Sequence, residues 1–400
     1  MKGPAQRSDI CPTLEPGAPE DAGMAPAQIA LARLRADEWI RIGVTPALVV
    51  LAARRGTIVV HEAFGRYGPD TDSPKLDVRA MFPLASISKV IAATSILTLV
   101  DDGLIGLNRP VQEYLPEFVG DRKEQVMLHH LLTHTSGLVD DDVVAYTERN
   151  KGKVAIPAAE ANEHPYLHEL LWLRWDAPLT YAPGERMSYS GAGGYLLLTE
   201  IVRRVSGKNL AQFAHDRIFA PLGMNDTYYD VPAEKRARVI RRPPDVPDQF
   251  PDPSVANYPS GSVGGYSTAM DMAAFCQMFL NRGCYGGARV LSPAAVVEMT
   301  RDQIRGVPGT FKEDTERNAS RGYGWDVKGD KKPRYHGSLD SPAAFTHQGA
   351  GGVSIFVDPI YELVIVFFSV SRGVMSPGYY HPEWTMDLFT NMVIASVIDI

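Results

Sequence analysis

The sequence predicts a mixed α/β (α+β) protein: an antiparallel sheet built from both chain ends, flanked by helices, with a mostly helical lobe inserted between its halves. Two strand-turn-strand signals lead to this expectation. Residues 47–53 and 57–64 are rich in Val, Ile and Leu around Arg54-Arg55-Gly56, and residues 353–357 and 363–370 bracket Asp358-Pro359. The third observation is the stretch between them, roughly residues 111–264, where helical patterns and long loops dominate.

In chain order, residues 1–25 form a Pro/Gly-rich leader, and Ile29, Ala32, Ala36, Trp39 or Ile40 and Gly43 then recur at helical spacing. Residues 26–110 and 265–400 make up the predicted sheet domain, and residues 111–264 the inserted helical domain. Residues 243–254 are too rich in proline for a regular element and read as a loop, while Trp384 to Val397 read as a closing helix. There is no internal repeat. A cleft at the junction of two lobes is a common place for a small ligand.

Composition narrows the function classes. With 400 residues, 45% hydrophobic and 22% charged, the chain is neither disordered nor collagen-like, and its net charge of -7 carries no nucleic-acid footprint or polybasic membrane anchor. No run of about 20 apolar residues could span a bilayer. Met1 to Asp9 lacks the apolar core of a secretory signal, so the expected location is cytoplasmic. Cys11, Cys276 and Cys284 are odd in number and lack paired spacing, which predicts plain thiols rather than a disulfide framework or zinc cage. The expected partner is a small molecule; oligomeric state is not written in the sequence.

The chemistry starts at Ser86 and Lys89. They stand three residues apart at the start of an apolar helical run that follows Phe82-Pro83 and stops near Gly103, which puts both on one helix face. A nearby amine held neutral by its surroundings can take a serine proton, and the helix N-terminus favours developing negative charge. An S-x-x-K match arises about once by chance in a chain of this length, so further elements are needed. Tyr189-Ser190-Gly191 puts a phenol on a loop just before a helix, where it could relay a proton. Thr346-His347-Gln348-Gly349-Ala350-Gly351-Gly352 leads into a strand, and its glycines allow close approach of a substrate and a free N–H for an oxyanion.

With these segments in view, the chain resembles the serine β-lactamase and penicillin-binding-protein superfamily, specifically class C β-lactamases and family VIII carboxylesterases. The resemblance covers most of the chain. It rests on the Ser86-to-Lys89 helix, His130-Leu131-Leu132-Thr133-His134-Thr135-Ser136-Gly137-Leu138, Tyr189-Ser190-Gly191, Pro221-Leu222-Gly223-Met224, Gly264-Gly265-Tyr266-Ser267-Thr268-Ala269 and Tyr323-Gly324-Trp325, in the family's order. The resemblance implies the β-lactamase/transpeptidase-like fold, acylation of Ser86, proton transfer shared by Lys89 and Tyr189, and an oxyanion hole from the backbone N–H groups of Ser86 and Ala350. It implies no metal or organic cofactor.

Two departures bear on substrate. Gly191 stands where β-lactamases carry the Asn of Tyr-x-Asn, and His347-Gln348-Gly349 stands where they carry Lys-Thr-Gly, which removes a fixed cation suited to a carboxylate. Acyl transfer survives both losses, so the expectation is a carboxylesterase, with Gly191, His347, Gln348 and Gly349 as candidate substrate contacts. Alternatives on the same residues are a β-lactamase, a D-amino-acid peptidase or amidase, and an acyltransferase; a non-catalytic binding protein is the alternative of another class.

Other patterns carry less. His130 and His134, at i and i+4, could present two metal ligands, but no third ligand has matching spacing. The nucleophile pattern G-x-S-x-G of α/β-hydrolases is absent. Asp140-Asp141-Asp142 reads as a solvated loop without a role. Tyr166, Trp172 and Trp175 are candidates to roof the pocket, with core packing as the rival reading.

Overall fold

A computed structural model describes residues 11–191, 193–243, 258–311, 314–331, 337–370 and 382–400. The main sheet has seven strands: β1 (Glu15–Pro16), β2 (Ala47–Arg54), β3 (Thr57–Gly65), β4 (Asp326–Val327), β5 (Phe345–Gly349), β6 (Val353–Asp358) and β7 (Leu363–Ser369). Their order is β1-β3-β2-β7-β6-β5-β4. The N-terminal hairpin is therefore joined to the C-terminal strands through the pair β2 and β7, where Leu363 to Ser369 run antiparallel to Arg54 back to Leu48. In the hairpin turn both Arg55 (φ 53°) and Gly56 (φ 82°) are left-handed, as a two-residue turn between twisted strands requires.

The expected α+β architecture stands, and the antiparallel sheet gains one short parallel edge: β1 pairs parallel with β3, Glu15 N–H reaching Gly56 O and Gly17 N–H reaching Ile58 O. One expectation needs correction: Cys11 and Cys284 are not plain thiols, for they form a disulfide with Cα atoms 5.9 Å apart. It ties the leader to the short hairpin that carries Cys284, and Cys11 N–H also bonds Gly286 O. Cys276 is a buried thiol.

The middle strands are apolar at nearly every position because the sheet is covered on both sides. Leu48, Val50, Ala52, Ile365 and Phe367 face α1 (Pro26–Arg41), through its Ile29, Ala32, Ala36 and Trp39, and the helix Pro382–Ile394. Alternating residues Val49, Leu51, Ile355, Val366 and Phe368 face the opposite core, which holds α2 (Ser88–Asp101) and the helix Ala269–Leu280. Burial all round explains why α2 carries almost no polar face. The closing helix ends at Ile394, three residues short of the expected Val397. The Met1-to-Asp9 reading and residues 244–254 of the expected loop lie outside the described residues.

Between the two halves of the sheet lie α3 (Leu128–Leu132), α4 (Asp140–Asn150), α5 (Pro165–Arg174) and α6 (Gly194–Ser206). Trp175 is part of the core, and Trp172 packs edge-on against it at 6.4 Å. Tyr166 is exposed and stacks near Tyr258.

Candidate active site

Ser86 sits in a single 3-10 turn, Ala85–Ile87, that runs into α2. Ala85 has φ 48°, a left-handed conformation that costs a residue with a Cβ about 1–2 kcal/mol. Both flanks hold the turn in place. Phe82–Pro83 pairs antiparallel with Tyr266–Ser267, Leu84 N–H donates to Gly265 O at 2.7 Å, and Gly265 N–H donates to Ser88 Oγ at 3.1 Å. On the other side β5 comes so close that a Cβ at Gly349 would lie 2.2 Å from Leu84 O and 3.1 Å from Ala85 Cβ. Only glycine permits that approach, which seats the end of β5 against the turn that carries Ser86.

Lys89 is 1% exposed. Its Nζ lies 3.0 Å from Ser86 Oγ and donates to Ser262 O at 2.9 Å, and it stands 5.0 Å from the centre of the Tyr189 ring. The structure thus brings together the three side chains that the sequence singles out. Tyr189 lies on the loop before α6, and the next residue fixes that loop: Ser190 N–H donates to His134 Nδ1 at 3.1 Å. The His134 ring is 4.5 Å from that of Tyr189.

His134 does not pair with His130 as a metal ligand. It lies beyond the end of α3 with a left-handed backbone (φ 60°), while His130 Nδ1 accepts from Met127 N–H at the start of that helix. No cluster of three or more His, Cys, Asp or Glu able to hold a metal occurs among the described residues.

The substrate-contact candidates divide. His347 is buried with its ring 6.4 Å from that of Tyr189, and its Nδ1 donates to the carbonyl of Gln348 at 2.7 Å. Gln348 points to the other face of β5, where its Nε2 meets Met386 Sδ in the helix Pro382–Ile394, because successive strand residues alternate sides. Gly191 faces the lysine: a Cβ there would sit 3.5 Å from Lys89 Nζ.

Two neighbours escaped the sequence reading. The Arg321 guanidinium lies 5.7 Å from the Tyr189 ring centre, deeply buried and paired with Asp326. Nothing in its spacing marks it beyond its nearness to Tyr323-Gly324-Trp325. Asp140, expected in a solvated loop, instead opens α4 and accepts from Ser190 Oγ–H (3.0 Å) and Gly191 N–H (2.7 Å).

Burial, with Lys89 and Arg321 near, pushes both site imidazoles down: His134 well below the ordinary histidine value, His347 to about 3. In the unfolded chain both protonate near pH 6.5, so below that pH the unfolded state binds more protons and is favoured. Stability is therefore expected to be full above about pH 6.5 and to fall as pH drops, by about 2 kcal/mol at pH 5 for His347, with His134 acting in the same direction. Urea unfolding at pH 7.5 and pH 5 measures this; a flat profile would contradict the neutral, buried state of both rings.

This sheet, covered by helices on both faces and closed by strands from both chain ends, is the architecture of the penicillin-recognising serine enzymes. The beta-lactamase family model matches residues 36–383, and the chain belongs to that family. It is 27% identical over 331 residues to Protein Rv1367c of Mycobacterium tuberculosis, covering 72% of this chain and 76% of that one. Among solved structures, a penicillin-binding protein homolog from Caulobacter crescentus superposes with a TM-score of 0.72 at 21% identity, over 94% of this chain and 99% of the other. A family VIII carboxylesterase superposes with a TM-score of 0.71 at 21% identity, also over 94% and 99%. Both likenesses establish the fold.

Proposed function

We propose that the protein is a carboxylesterase that works through an acyl-enzyme on Ser86. The observation that carries this reading is the 3.0 Å contact between Ser86 Oγ and the buried Lys89 Nζ, with the Tyr189 ring against the same nitrogen. Ser86 Oγ attacks the ester carbonyl and gives its proton to the Lys89–Tyr189 pair. The N–H groups of Ser86 and Ala350 hold the resulting oxyanion. Collapse expels the alcohol, protonated by the same pair, and water then attacks the acyl-enzyme and releases the acid and free Ser86.

The preference for esters rests on Gly191, which brings no side-chain amide to a substrate amide, and on His347, whose buried imidazole supplies no fixed cation for a substrate carboxylate. β-Lactams, D-amino-acid peptides or amides, and acyl transfer to an alcohol or amine use the same nucleophile and are the rival readings. The Cys11–Cys284 disulfide favours an oxidising compartment over the cytoplasmic location expected from the N-terminal sequence. No helix among the described residues is long and apolar enough to cross a membrane.

Two measurements test this reading. Brief exposure to a p-nitrophenyl ester or a phosphonate is expected to leave one adduct, mapped by mass spectrometry to the peptide that holds Ser86; no adduct would favour a non-catalytic protein. Short-chain ester kcat/KM is expected to exceed cephalosporin kcat/KM by at least about 100-fold, the scale of loss when a polar recognition group is missing. Equal values would restore the β-lactamase reading.

A further inference from the structure

The Tyr189 loop is gripped from one short piece of chain. His134 Nδ1 takes the Ser190 N–H, and Asp140 takes the Ser190 Oγ–H on Oδ1 and the Gly191 N–H on Oδ2. Ser190 Oγ in turn accepts from Gly194 N–H at the start of α6. A carboxylate that accepts from a backbone amide makes a stronger and better directed bond than a neutral group does. It fixes the residue two positions after Tyr189, so it limits the swing of the tyrosine ring relative to Lys89.

Position 191 lies between that carboxylate and the lysine. A Cβ at Gly191 would lie 3.4 Å from Asp140 Oδ2 and 3.5 Å from Lys89 Nζ, so any side chain at 191 starts in contact with both. Asp141 and Asp142, the other two acids of the run, are exposed, and Asp142 bonds Thr180 instead. Asp140 alone turns toward the site among the three.

We infer that Asp140 is a positioning residue for acylation: it latches the Ser190 hydroxyl and the Gly191 N–H so that Tyr189 stays beside Lys89 and within reach of the Ser86 proton. This rests on the acyl-enzyme reading proposed above. Both of these Asp140 bonds go to the Tyr189 loop, so its loss is expected to act on kcat far more than on KM.

The experiment compares the native protein with Asp140→Ala, Asp140→Asn and Asp141→Ala. Each is followed by p-nitrophenyl ester kinetics, by phosphonate labelling of Ser86, and by hydrogen exchange of the peptide spanning residues 188–194. Loss of two bonds to a charged acceptor is expected to lower kcat of Asp140→Ala by about 10- to 100-fold, with KM within about threefold. Exchange at Ser190 and Gly191 is expected to speed up in the same variant. Asp140→Asn, which keeps one oxygen as acceptor, recovers part of kcat, and Asp141→Ala behaves as the native protein does.

A kcat for Asp140→Ala within twofold of native overturns the inference, as does a loss of kcat without faster exchange at 190–191. Absence of Ser86 labelling in the native protein removes the acyl-enzyme reading and this inference with it. Equal labelling rates in native and Asp140→Ala remove this inference alone. If Asp140→Ala does not fold, Asp140→Asn is judged by the same kcat and exchange criteria at a smaller expected change.

Discussion

Ester turnover by a Ser86→Ala variant is expected to fall by at least about 10⁴-fold, because in serine hydrolases most of the rate enhancement acts through the nucleophile. Any residual rate would come from polar groups that still bind and polarise the carbonyl. The substitution is small in structural terms. Ser86 is only half-buried and its Oγ contact is to Lys89, which keeps Ser262 O as a partner, so the melting temperature should move little. The check is kcat/KM on a p-nitrophenyl ester alongside intact mass after phosphonate treatment. An adduct that persists in Ser86→Ala at the native rate would place the nucleophile elsewhere.

Removal of the lysine is expected to cost about 10³-fold in kcat/KM, the upper part of the range for loss of a positioned base and its electrostatic support. Lys89→Ala alone is a poor test. The side chain is 1% exposed, so alanine leaves a cavity that by itself destabilises by about 2–4 kcal/mol. Lys89→Met keeps most of the volume and removes only the amine, so its effect on rate is separable from its effect on folding. A folded Lys89→Met with near-native turnover would require another base for the Ser86 proton.

Much of the frame was legible because it is written in local patterns. The hairpin at 47–65 and the strands at 353–369 announce themselves as short apolar runs around turn residues, and Ser86 and Lys89 are neighbours within one turn. What was hidden depends on contacts between distant residues. Cys11 and Cys284 are 273 positions apart, and nothing in their spacing says that the leader returns to that hairpin. The leader's two-residue parallel strand is too short to leave a pattern.

The site shows the same division. Ser86, Lys89 and Tyr189 could be named from motifs, whereas Asp140 looked like one acid in a solvated run and acquires its place only through the fold that sets Ser190 and Gly191 beside it. Arg321 reaches the Tyr189 ring only through the fold, where it also pairs with Asp326. The i, i+4 spacing of His130 and His134 would fit one helix face, but α3 ends at Leu132 and His134 turns into the left-handed region, so the two do not share one.

The close passage of Gly349 over Leu84 and Ala85 has a bearing on biosynthesis. The turn that holds Ser86 and the strand that backs it are separated by most of the chain, and β2 finds its inner neighbour only when β7 arrives. Contacts of such high sequence separation form late in folding. On the acyl-enzyme reading proposed above, a growing polypeptide with Ser86 and Lys89 already outside the ribosome is expected to stay unreactive until β5 and β7 dock, and covalent capture by a phosphonate would time that docking.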